Sequence, residues 1–189
     1  MPELWRLTRN RYGRTAYDTL AQLGITATVM IEYVTTLEGT TFDTDGKRSY
    51  SVEVCEPARV TSLDAPVDEL RPDEQVIAAL EDGRPRGYCF TSIDAAHEID
   101  PLERTLAFDG AYIRRVFADP DHRNCGIATA IVAEACRRAH ERGAGRATAL
   151  VALDNSPSRR LFERHGFEPR QRRRYVRIGP FSHRSTKAR

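Results

Sequence analysis

Thirteen residues, Val116–Ala128 (V-F-A-D-P-D-H-R-N-C-G-I-A), put small and polar groups where a strand hands over to a helix. A strand ends near Ala118, Pro120 forces a turn, and an Arg-x-x-Gly-x-Ala run (Arg123, Gly126, Ala128) opens an amphipathic helix. The N–H groups in the first turn of a helix have no internal partner and carry the positive end of its dipole. Small residues at such a mouth make a cradle for an anion, with room for a pyrophosphate. A bulky Cβ at Gly126 or Ala128 would hold phosphates away from the amides.

The elements around this loop are those needed to position it. Ile127, Ala130, Ile131 and Ala135 recur at helical spacing, with Glu134, Arg137, Arg138, Glu141 and Arg142 as the polar back, and Gly143 and Gly145 as the stop. Arg146–Leu153 has the length and apolarity of a strand. Asp154–Pro157 reads as a turn into a second helix, capped by Ser156 with Pro157 at its first position, and that helix ends at Gly166. A final strand runs from Phe167–Glu168 toward Tyr175–Ile178. Upstream, Gln75–Leu80 and Gly87–Ser92 flank a hairpin turn at Asp82–Gly83, Ala95–Arg104 is an acidic connection, and Gly110–Ala118 feeds the loop. Tyr12–Leu23 has helical character, Ile25–Leu37 and Ser49–Val60 read as strands, and Gly39–Arg48 is a polar loop. Periodicity alone gives a mixed α/β class.

Val116–Phe167 resembles the acetyl-CoA-binding half of the Gcn5-related N-acetyltransferase (GNAT) superfamily. The loop is similar to that family's pyrophosphate motif, and N-S-P-S-R-R-L-F-E-R-H-G-F (residues 155–167) is similar to its second motif, N-x-x-A-x-x-L-Y-x-x-x-G-F. The resemblance implies one GNAT-like domain over 1–189, with a family-variable region at 1–60 and the recognisable core at 75–178. It implies a mostly antiparallel central sheet flanked by helices, in which the feeding strand splays from the next one to admit pantetheine. It also implies direct acetyl transfer from acetyl-CoA to a primary amine in a ternary complex, with no metal and no covalent enzyme intermediate. Backbone groups of Val116, Phe117 and Ala118 would pair with pantetheine, and amides of Arg123, Asn124, Cys125, Gly126, Ile127, Ala128 and Thr129 would hold the pyrophosphate. Asn155 matches a residue that contacts the pantetheine arm in relatives, and Phe162, at the motif's tyrosine position, would belong to the same cofactor-binding set.

The chain departs from the pattern where relatives place their acid and base. The tyrosine that protonates the thiolate is replaced by Phe162, which has no hydroxyl. The glutamate of some relatives is replaced by Tyr112. Strict alternation along the feeding strand puts Tyr112, Arg114, Val116 and Ala118 on one face, so Tyr112 and Arg114 could line the substrate side. Glu98, Asp100 and Asp109 could attract an amine or relay its proton through water, or form a solvated loop. Cys125 at a helix N-terminus invites a nucleophile reading, but in the family that position faces solvent and varies. His122 and His165 stand singly and read as structural or surface groups.

Composition sets bounds. A chain of 189 residues suits one core. The cysteines Cys55, Cys89, Cys125 and Cys136 lack C-x-x-C spacing, which indicates neither a zinc site nor a disulfide framework and fits a reducing interior. No run approaches a membrane span and the start lacks a signal-peptide core, so the expectation is a soluble, cytoplasmic protein. Residues 38–110 hold 17 acidic and 7 basic side chains, whereas 137–189 hold 15 basic and 4 acidic. That polarity fits a CoA side beside a cation-preferring side. A nucleic-acid face is the alternative, which the run Arg170–Arg177 favours little, with Tyr175 its one aromatic and no RNA-binding signature. Three readings follow: an active N-acetyltransferase, an acyl-CoA-binding regulator of weak activity, or an arginine-rich nucleic-acid or ribosome-associated module. The acceptor, small molecule or protein, is open, and the family's habits allow a homodimer.

Overall fold

The computed structural model describes residues 25–39 and 49–188. The helix expected over Tyr12–Leu23 and most of the loop expected over Gly39–Arg48 lie outside the described residues.

The hairpin before the loop forms as its turn chemistry dictates. Strands β3 (Gln75–Glu81) and β4 (Arg84–Ile93) are joined by Asp82 and Gly83, both at positive φ, the geometry a two-residue turn requires. Strand β2 (Ser51–Cys55) pairs with β3 and is shorter than the Ser49–Val60 expected. Pro57 cannot donate to a ladder, and the chain instead coils into a 3-10 turn over Pro57–Leu63 that buries Val60. The acidic connection also carries more structure than its composition implied. There β5 (Ala96–Ile99) pairs with β6 (Arg104–Ala107), which extends past the expected connection, as a separate small hairpin. Strand β7 (Ala111–Ala118) then returns along β4 and leads through the loop into helix α1 (Ile127–Glu141).

Strand β8 (Arg146–Ala152), helix α2 (Ser156–Arg164) and strand β9 (Glu168–Ile178) complete the expected series. A further edge strand, β10 (Phe181–Ala188), follows it with all eight side chains exposed. Strand β1 (Ile25–Thr36) inserts between β8 and β9, antiparallel to both. The sheet therefore runs β10-β9-β1-β8-β7-β4-β3-β2. It is antiparallel throughout except at β7 and β8, which run parallel.

Both helices lie on one face, where Ile31, Tyr33, Ile77, Cys89, Ile113, Ile127, Ile131, Val132 and Phe162 form the main core. The other face is covered twice. The 3-10 segment packs on Val76, Ala78, Tyr88 and Phe90. The β5–β6 hairpin packs through Ile99, Leu102, Leu106 and Phe108 onto Tyr112 and Tyr175. Glu134 departs from the polar back expected of α1: it is buried, and its carboxylate accepts from Arg137 (2.8 and 2.7 Å) and Arg138 (2.6 Å). Burial alone would raise that carboxyl, but the two guanidinium groups hold it below its ordinary value. Among the described residues no helix is long and apolar enough to cross a membrane.

Candidate active site

The parallel pair is where the sheet opens. Strands β7 and β8 pair only at Ala111 with Ala147 and at Tyr112 with Thr148. Beyond those residues, β7 has no strand on that side among the described residues, although its other edge stays paired to β4 as far as Ala118. The result is a fork whose open walls are Ile113–Ala118 and Ala149–Ala152. The backbone of an extended chain of atoms could take up the free main-chain groups of such a wall as a missing strand would.

A β-bulge shapes one wall. Cys89 on β4 faces both Arg115 and Val116, because Tyr88 pairs with Phe117 but Phe90 pairs with Arg114. Arg115 takes positive φ (55°), and the alternation of faces breaks there. Tyr112, Arg114, Val116 and Ala118 accordingly do not share one face. Tyr112 packs under the β5–β6 hairpin and Phe117 against the 3-10 side, while Val116 and Ala118 turn to the helix side.

The loop between β7 and α1 sits at the open end of the fork. Asp119 receives the N–H of Asp121, and its own N–H goes to the Arg86 carbonyl (2.8 Å). His122 lies 3.1 Å from Asp119 and 3.6 Å from Glu81, which ties the loop's start to the β3–β4 turn. Arg123, Asn124, Cys125, Gly126 and Thr129 are exposed, and Asn124 and Gly126 take positive φ (63° and 78°). The first backbone bond of α1 runs from the Ala130 N–H to the Gly126 carbonyl, so the amides of residues 126–129 precede the helix's own ladder. Ile127 between them is 3% exposed, with its side chain in the core. A Cβ placed on Gly87 would stand 2.7 Å from Ile127 Cγ2, and this close approach seats the helix mouth on β4.

Helix α2 lines the other side. Asn155, not Ser156, is its cap: the Asn155 carboxamide oxygen accepts the Ser158 N–H (3.4 Å) and its Nδ2 donates to Ser158 Oγ (2.8 Å). Phe162 is 3% exposed and meets Phe167 edge to face at 5.0 Å, so it stands in the core beneath the cleft. One anchor was not anticipated. Buried Tyr33 donates to Glu163 (2.8 Å) and accepts from Arg159 (3.3 Å), whose guanidinium also donates to the Leu153 carbonyl (3.1 Å). An aromatic in a strand carries no sequence sign of a partner 130 residues away.

Tyr112, Glu98 and Asp109, candidates for proton handling, stand in three different surroundings. Tyr112 is the last residue of β7 that pairs with β8, stacked on Phe108 at 3.9 Å, and burial pushes its phenol up. Glu98 is exposed on the β5–β6 hairpin. Asp109 lies at the closed root of the fork, 76% exposed and paired with Arg146 (2.9 Å). Charge near the open wall comes instead from Arg114, which donates to Glu74 at 2.6 and 2.7 Å and stacks 5.2 Å over Phe90. Glu69 bridges Arg114 and Arg115. Burial alone would raise the Glu74 carboxyl, but Arg114 and the Arg71 N–H hold it below the usual carboxylate range. Glu74 is thus an ion-pair partner rather than a free base. Among the described residues no group of three or more metal-ligating side chains comes together.

His97 under the same face gives a pH prediction. Its Nε2 lies 2.7 Å from Ser92 Oγ, and its ring lies 4.9 Å from Tyr112. Burial holds its pKa below 6.5; Arg114 and Arg71 push the same way, and Glu74 and Asp73 oppose them. A histidine kept neutral in the fold stabilises it above about pH 6.5, and that stability is lost as pH falls through the folded value. Urea midpoints should therefore drop between pH 7.5 and pH 5.5, and the drop should shrink in His97→Gln. A drop of equal size in that variant overturns the assignment.

The acetyltransferase (GNAT) family model matches residues 40–167, which contain the fork wall, the loop and both helices. Solved structures give the same architecture. A GCN5-related N-acetyltransferase from Kribbella flavida shares 16% identity at TM-score 0.58, over 90% of this chain and 73% of its own. A GNAT-family protein from Novosphingobium aromaticivorans shares 16% at TM-score 0.58, over 81% of this chain and 65% of its own. The tandem GNAT protein of the clavulanic acid biosynthesis pathway shares 17% at TM-score 0.58, over 89% and 59%. Two of these three chains are thus less than two thirds spanned. No curated protein matches the sequence. The fork, the loop at its mouth and the matched span agree, and the chain belongs to the GNAT acetyltransferase family.

Proposed function

We propose that this chain is an acetyl-CoA-dependent N-acetyltransferase acting on a primary amine. One observation carries the reading: the sheet opens beside a helix mouth at which Gly126 and Thr129 are exposed and the first amides precede the helix's own ladder. A Cβ on Gly126 would meet only the Tyr50 hydroxyl, at 3.4 Å, so no side chain crowds this end of the cradle. Amides of residues 126–129 would hold that group, and the free walls of β7 and β8 would take the pantetheine arm.

The donor supplies an activated acyl group, a thioester. A neutral amine nitrogen attacks its carbonyl carbon, the C–N bond forms, the C–S bond breaks, and the thiol leaves with the proton the nitrogen loses. The protein's part is orientation in a ternary complex, which supplies much of such a rate. The Arg114–Glu74 pair and the β5–β6 hairpin wall the acceptor side. Phe162 gives the departing sulfur no proton, so water or another side chain carries it.

Thiol release measured against a panel of amines tests the proposal, and amine-dependent release is expected. Donor binding without release for any amine would instead support the acyl-CoA-binding regulator, which the missing hydroxyl at Phe162 favours. Phe162→Tyr returns that hydroxyl, and kcat should rise at least about threefold, a small part of what a general acid can contribute. An unchanged kcat would show that the proton leaves by another route.

A further inference from the structure

Tyr50 belongs to neither motif, yet it touches the loop from the sheet's edge. Its hydroxyl donates to the Cys125 carbonyl oxygen at 3.3 Å, and its ring packs against the main core. Neighbouring Ser49 donates to Glu81 at 3.1 Å, the same carboxylate that meets His122 of the loop. The entry to β2 and the start of the loop are therefore fixed to one turn.

The consequence comes from peptide geometry. All described peptide bonds are trans, and in a trans peptide the carbonyl of one residue and the N–H of the next point in opposite directions. Drawing the Cys125 oxygen toward Tyr50 turns the Gly126 N–H away from it, to the opposite side. Glycine at φ 78° has no Cβ to hold that plane, and Asn124 before it is also at positive φ. A tether on the carbonyl is what keeps the peptide from rotating. The geometry points to Tyr50 as a positioning residue that sets the Cys125–Gly126 peptide plane and so aims the Gly126 N–H at the donor's diphosphate.

This inference rests on the acetyl-CoA reading, and its test separates the two. Tyr50→Phe keeps the ring and removes the hydroxyl. The KM for acetyl-CoA and the calorimetric Kd for CoA should both rise about three- to tenfold, the scale of one neutral hydrogen bond. The kcat at saturation and the melting temperature without ligand should not move. With S-acetylpantetheine, which lacks the diphosphate, kcat/KM should be the same in both proteins. Unchanged KM and Kd for the full donor, or an equal loss with both donors, overturns the role of Tyr50 and leaves the transferase reading standing. Wild-type protein that fails to bind CoA overturns both.

Discussion

Gly126→Glu should abolish acetyl-CoA binding while the domain stays folded. The position is exposed at the mouth of α1, and an added Cβ would meet nothing closer than the Tyr50 hydroxyl at 3.4 Å. The fold's loss is confined to placing a side chain at φ 78°, roughly 1–2 kcal/mol. Part of that is returned because a carboxylate at a helix N-terminus is favourable by about 0.3–1 kcal/mol. The melting temperature should consequently shift by only a few degrees. The ligand meets the opposite situation: the new carboxylate fills the cradle and sets a negative charge against the diphosphate. Calorimetry should show at least about a hundredfold weaker binding, equivalent to roughly 3 kcal/mol. Gly126→Ala, which adds the same backbone strain without the charge, should fall between the two. Equal affinity in Gly126→Glu and wild type would remove the loop from the donor site.

The loop and its helices were legible because their signals are local. Pro120, Gly126 and the three-and-four spacing of Ile127, Ala130 and Ile131 each act within a turn or two of the chain. Where pairing is long-range, the same sequence says little. Ile25–Thr36 reads as a strand, but nothing in its alternation names Ala149 and Pro169 as the neighbours of Tyr33 on either side. The β10 strand was invisible for a different reason. All its side chains are exposed, and it joins the sheet by backbone pairing to β9 alone, which leaves no hydrophobic pattern to read. Ala96–Ile99 alternates in burial, but four residues within an acidic stretch are too few for the alternation to stand out. At the site itself, the bulge at Arg115 defeated the face assignment. Arginine at positive φ carries no sequence mark, since that conformation is imposed by pairing with β4. The pairing of Arg114 with Glu74 escaped for the same reason, because the two are forty residues apart and meet only in the folded sheet.

The second large effect concerns the root of the fork. Gly110 takes φ 81° between β6 and β7, and its N–H and carbonyl bond the Asp94 side chain (2.7 Å) and N–H (2.9 Å). A Cβ there would stand 2.4 Å from the Arg146 carbonyl oxygen and 2.9 Å from Arg146 Cγ. Arg146 opens β8, and the next residues, Ala111 and Ala147, are the first of the two pairs that join the parallel strands. Relief must therefore come from moving backbone, and the backbone that moves sets the width of the fork. Gly110→Val should lose about 3–4 kcal/mol, combining left-handed strain with an overpacked contact. For a domain of this size that is a fall of roughly 10 °C in melting temperature. Gly83→Val supplies the control, because Gly83 has φ 75° but an added Cβ there meets nothing within 4 Å, so only strain is felt. The difference between the two melts measures the contact at the root. If the two variants melt together, the close approach of Gly110 to Arg146 is not what holds β7 and β8 in register, and the fork must be fixed from its flanks by β4 and β1.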